Sequence, residues 1–182
     1  MLEFIKGYYQ GCTLRDETDF FHIFLNDGKN REIGVYSKDQ NGVKTVLDDD
    51  TVQIYYDCLV DVYGTKHDIE FLAIVKKEKG GLYFNGTLKN HSNAKVNEVQ
   101  YPYIQFDKTF VDFEDEVLYC PFGLGFRQKN PRADVKKAHS EYLHADYKKI
   151  IRTYTYPSKL TMPWLGFQSG NKFLHFQRED VL

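Results

Sequence analysis

The chain has 182 residues, 42% of them hydrophobic and 16% aromatic, and a formal net charge of −2. A domain of this size buries about 70% of its unfolded surface, so neither disulfides nor a metal is required for folding. The near-neutral charge argues against a general nucleic-acid or membrane-surface role.

Strand signals dominate in chain order. Phe20 to Leu25 is a compact apolar run closed by the turn cluster Asn26-Asp27-Gly28. Glu32 to Tyr36 and Val43 to Leu47 flank Lys38 to Gly42, which predicts a hairpin with Asn41-Gly42 at positive φ. From Thr51 to Tyr63 the residues Val52, Ile54, Tyr56, Cys58, Val60 and Val62 alternate onto one face, a sustained period of two. Ile69 to Lys76 and Leu82 to Lys89 follow, joined by Glu78 to Gly81, with Leu82, Phe84, Gly86 and Leu88 sharing a face. That alternation runs through Asn85-Gly86 and keeps the pair within a strand. Val96 to Phe106 is a further strand, where Pro102 indicates an edge or a bulge. Val117 to Cys120 is short.

One helix is predicted, from Pro131 to about His144. Val135, Ala138 and Tyr142 lie at helical spacing, and Asn130-Pro131 suits an N-cap with proline at the first helical position. Strands at Trp164 to Gln168 and Phe173 to Arg178, joined by Ser169 to Asn171, close the series. Hairpin-like succession without alternating helices predicts a mostly β, antiparallel two-sheet sandwich with one short helix near 131–144. A single domain over 1–182 is expected, with Ile54, Tyr56, Val60, Phe84, Leu88 and Val99 in its core.

No apolar run reaches the ~18 residues of a membrane span. The opening MLEFIKGYYQG lacks the basic start and apolar core of a signal peptide. Cys12, Cys58 and Cys120 form no CxxC pair, which suits a reducing compartment, and a cytoplasmic location is expected. No cofactor or metal is expected: His139 and His144 fall on different helix faces with no third ligand nearby. Gly123-Leu-Gly125 lacks the strand-to-helix context of a phosphate cradle and reads as a loop bringing backbones close. The acids at 112–116 read as a solvated loop, and the bases between Arg127 and Arg152 as a solvated face. Glycosidases need two converging carboxylates and aldose epimerases a His–Glu pair, and neither can be assigned from the residues alone.

Three segments in order are less ordinary: Asn97 to Pro102, Cys120-Pro-Phe-Gly-Leu-Gly125, and Tyr156-Pro-Ser-Lys-Leu-Thr-Met-Pro-Trp-Leu-Gly166, ending at Phe173 to Asp180. This series resembles the N-terminal β-sandwich of a group of glycoside-hydrolase-like proteins, a supersandwich of the galactose-mutarotase type. The likeness covers about residues 82–180. Ser158 stands where the relatives have glycine, and Pro163 where they have glutamine, so the family's polar contact is not expected from that position.

The resemblance implies a non-catalytic domain, the N-terminal part of a longer protein, supporting a catalytic barrel as its intramolecular partner. The alternative is a free-standing mutarotase-like enzyme or carbohydrate-binding module. Carbohydrate is the expected ligand, and nucleic acid and membrane are not expected partners. The residues chosen to meet it are Trp164, Tyr156 and Tyr154 as stacking rings, with Arg178 and Asp180 as hydrogen-bonding groups. An apolar docking face would make the isolated chain self-associate.

Overall fold

The computed structural model describes residues 13–14, 19–26, 28, 31–78, 80–103, 106–108, 115–131, 162 and 164–177. The chain divides into two compact units, Met1–Lys108 and Thr109–Leu182. Among the described residues every strand pairing is antiparallel, so the mostly β, antiparallel expectation holds. The helix expected near 131–144 lies, from residue 132 onward, outside the described residues.

In the first unit, β1 (Thr13–Leu14) pairs with β9 (Phe106–Lys108). A three-stranded sheet places β2 (His22–Asn26) between β3 (Glu32–Tyr36) and β8 (Lys95–Gln100). A four-stranded sheet runs in chain order through β4 (Gly42–Asp48), β5 (Thr51–Tyr56), β6 (Ile69–Glu78) and β7 (Gly81–Asn90).

Alternation explains the four-stranded sheet of the first unit. In β6 the residues Ile69, Phe71, Ala73 and Val75 are fully buried, while those between them are half-buried. Their register partners Tyr56, Ile54 and Val52 in β5, and Leu88, Gly86 and Phe84 in β7, fall on the same face. Phe21, just before β2, and Ile23, Leu25 and Val35 of the three-stranded sheet join Tyr56, Ile69, Phe71, Ala73 and Val75 in one hydrophobic cluster. The Phe21 and Phe71 rings meet at 4.6 Å. Burying a phenylalanine of this kind stabilises by about 1.5–3 kcal/mol.

Glycine within β7 also has a reason. A Cβ on Gly86 would stand 2.9 Å from the Tyr101 ring and 3.1 Å from that of Phe71. Tyr101 crosses the strand there, donating its hydroxyl to the Ile74 carbonyl at 3.0 Å. Burial pushes its phenol pKa up, and the nearby Tyr56 adds to the rise.

Several expectations are corrected. The strand predicted over 51–63 ends at Tyr56, because Cys58 turns the backbone to φ 54°. Beyond it Cys58 and Val62 are exposed. Val60 is half-buried outside the main cluster, its backbone clasped by Gln40 through two bonds of 2.7 Å. The hairpin expected around Asn41-Gly42 does not form. β3 pairs with β2 and β4 with β5, a 3-10 turn at Ser37–Asp39 intervenes, and Gly42 is extended within β4. Val99 is 41% exposed on the edge strand β8. A bulge follows its neighbour in the ladder, and Val96 packs on the core in its stead. Glu116 is buried, not part of a solvated loop. Tyr56 is buried as expected, while Ile54, Phe84 and Leu88 are partly buried against the cluster.

The second unit holds one described sheet in the order β11 (Phe126–Lys129), β10 (Val117–Cys120), β12 (Trp164–Ser169), β13 (Lys172–Gln177).

Candidate functional site: an aromatic face on the second sheet

A turn carrying two glycines shapes this sheet. Gly123 and Gly125, at φ 59° and 88°, fold β10 back onto β11, a conformation that side chains with a Cβ resist. Register then sorts the side chains. Arg127, Tyr119, Gly166 and His175 form one cross-strand row, and Lys129, Val117, Gln168 and Phe173 the next. Because strand residues alternate, Trp164 and Gln177 fall on the same face as these rows. The opposite face supplies the unit's core: Leu118 and Cys120 are buried, with Phe126, Leu165 and Phe167 packed on them.

Gly166 makes the first face what it is. A Cβ there would stand 2.5 Å from the Phe173 ring, so the missing side chain lets Phe173 lean across β12. Phe173 then lies 6.1 Å from Tyr119 and stacks on His175 at 6.3 Å. Trp164 lies 5.7 Å from His175 on the other side. The Arg127 guanidinium sits 5.9 Å above the Tyr119 ring centroid, within cation–π range. Tyr119 donates its hydroxyl to Gln168 Oε1 at 2.7 Å, and Gln168 Nε2 donates to the Gly170 carbonyl at 3.2 Å.

An open cleft of about 450 Å³ adjoins this face, lined in part by Tyr119, Arg127, Leu124, Met162 and Trp164. Phe173 is 56% exposed, and Leu124 and Met162 stand out at the rim. Ring faces, apolar walls and one guanidinium suit an amphipathic ligand with a flat apolar surface and polar edges. Among the described residues no Asp or Glu lines the cleft.

Of the residues chosen from sequence, Trp164 is on this face. Tyr154, Tyr156, Arg178 and Asp180 lie outside the described residues. Tyr119, Phe173, His175 and Arg127 were not singled out. The alternation of β13, and the strand after the Gly123–Gly125 turn, carried the signal that would have placed them beside Trp164.

The polar clusters of the first unit look structural. Asp61, 5% exposed, accepts hydrogen bonds from the Tyr63 and Thr65 amides at 2.8 and 2.9 Å and contacts His67 Nε2 at 3.0 Å. Burial pushes its carboxyl pKa up, but the His67 bond and the two amides outweigh that and hold it below the usual value. Its oxygens thus organise the 61–67 loop. His22 sits 3.2 Å from Asp19 and 4.0 Å, centroid to centroid, from the Tyr103 ring. Among the described residues no group of three or more His, Cys, Asp or Glu is placed to hold a metal, and no helix is long and apolar enough to cross a membrane. No protein-family model and no curated protein matches the chain.

Proposed function

We propose that the chain is a non-catalytic, carbohydrate-binding β-sandwich region of a glycoside-hydrolase-like protein, and that the Tyr119–Trp164–Phe173 face receives the sugar. The observation that carries this reading is the gathering of three rings from three strands on one face, beside a glycine whose missing side chain admits the Phe173 ring. A pyranose presents an apolar C–H face and a polar rim, which such rings and a neighbouring Arg127 complement. The cluster shared between the three-stranded and four-stranded sheets of the first unit is what a sandwich requires, and it supports the sandwich reading. The resemblance over residues 82–180 supplies the family and its partner, a catalytic barrel. The lack of a carboxylate among the described cleft residues favours binding over catalysis and weighs against a free-standing mutarotase-like enzyme.

The chain has one Trp, so its fluorescence reports on this face alone. Titration with a panel of neutral and acidic oligosaccharides should shift the emission, and Trp164→Ala should abolish binding measured by calorimetry while leaving the circular dichroism spectrum intact. A panel that gives neither a fluorescence change nor heat would rule the reading out.

A further inference from the structure

The groups around the rings also bear on which sugar fits. Neutral sugars offer hydroxyl donors and are commonly held by carboxylate acceptors. On this face the groups that carry or can take up a positive charge are Arg127, Lys129 and His175, and none of the described residues in its rows is Asp or Glu. Gln168 is spent on Tyr119 and Gly170, which leaves Gln177 as the described side-chain amide at the Trp164 end. The acidic residues among the described residues of the second unit, Asp115 and Glu116, precede β10 and so lie at the end of that strand away from Trp164. The face is therefore rich in donors and poor in acceptors. Arg and Lys donate hydrogen bonds and accept none, and a guanidinium pairs in a planar, two-pronged fashion with a carboxylate or an acidic ester.

We infer that the face selects an acidic oligosaccharide, its ring stacked on the Trp164–Phe173 side and its anion on Arg127, with Lys129 further along the same edge strand. This rests on the sugar-binding reading and narrows it to a ligand class. Because Arg127 is exposed, its contribution is screened by salt. The cation–π contact with Tyr119 holds the guanidinium over the same ring that would border the ligand.

The test uses the full chain and three probes: a short oligogalacturonate, the same oligosaccharide with its carboxylates methyl-esterified, and a sulfated galactan oligosaccharide. Oligogalacturonate should bind at low salt and weaken as salt rises. Its methyl ester should bind on the order of tenfold more weakly, as should oligogalacturonate to Arg127→Gln, and Arg127→Lys should restore part of the loss. Binding of the sulfated probe instead of the uronate would uphold the acidic class and identify the anion as a sulfate ester. Equal binding of the acid and its ester, or an Arg127→Gln protein that binds the acid normally, overturns the inference while leaving sugar binding in place. No binding of these probes or of neutral oligosaccharides overturns both.

Discussion

Asp61 gives the sharpest test of how the 61–67 loop is held. Its carboxylate receives the Tyr63 and Thr65 amides and His67 Nε2 at 2.8, 2.9 and 3.0 Å, and the side chain is only 2% exposed. Asp61→Ala removes all three bonds. The Tyr63 and Thr65 backbones lie in exposed residues and can turn to water, so each should cost about 1 kcal/mol, the ordinary net value of a hydrogen bond. His67 is half-buried and loses its partner less cheaply, which brings the total to about 2–4 kcal/mol. Urea unfolding at neutral pH, followed by circular dichroism, measures the sum directly.

The pH dependence supplies an independent check. The folded pKa of Asp61 lies below its unfolded value of 3.8. The unfolded chain therefore binds this proton first on acidification, and the stabilisation is fully present above that value. It is lost as the pH falls through the folded pKa. The gap between native protein and Asp61→Ala should narrow as the pH falls below about 4. A variant as stable as the native chain at neutral pH, or a gap that widens below about pH 4, would refute this account.

Two further outcomes follow from burial and exposure. Phe71→Ala should cost about 3–5 kcal/mol, since the side chain is 1% exposed among Phe21, Tyr101 and Gly86, whereas Phe84→Ala should cost clearly less because that ring is only half-buried; equal losses in urea unfolding would contradict the packing described. On the edge strand β4, Val43, Val46 and Leu47 are 67%, 60% and 54% exposed, so if the isolated chain self-associates this edge is the place to look, and Val46→Lys should lower the apparent mass in sedimentation without altering thermal stability; an unchanged mass would move the contact elsewhere.

What was legible in the sequence was the period of two wherever one face of a strand meets the core. Val52, Ile54 and Tyr56, and likewise Leu82, Phe84, Gly86 and Leu88, share the faces their spacing implied. The pattern misled where it outran the strand. Cys58, Val60 and Val62 keep the alternation, but a residue at positive φ breaks the ladder after Tyr56, and hydrophobic spacing carries no trace of that. Asn41-Gly42 misled for a related reason. A local turn signal cannot reveal that the two strands beside it belong to different sheets, because that depends on Ser37 donating its amide to Phe21 and on β5 pairing with β4.

The site was legible in one residue and hidden in the rest for a physical reason. Trp164 stood out because it is the sole Trp, a flat ring at the start of a predicted strand, a feature visible along the chain. Tyr119, Arg127 and Phe173 become its neighbours only through registers such as Tyr119 with Gly166 and Gln168 with Phe173. A one-residue slip of β12 against β10 would send Trp164 into the core and bring Leu165 and Phe167 out. The burial of Leu118, Cys120 and Leu174 on the opposite face opposes that slip, since it would expose their packing partners. The core of the second unit is thus what holds the aromatic face together. A mutation that weakens the Leu118 side should blunt ligand binding without touching any residue that meets the ligand. Leu118→Ala is such a change: Trp164 emission should shift toward that of a more exposed ring, and oligosaccharide affinity should fall with it. Unchanged affinity in a variant that has lost stability would mean that the rings hold their arrangement without the register.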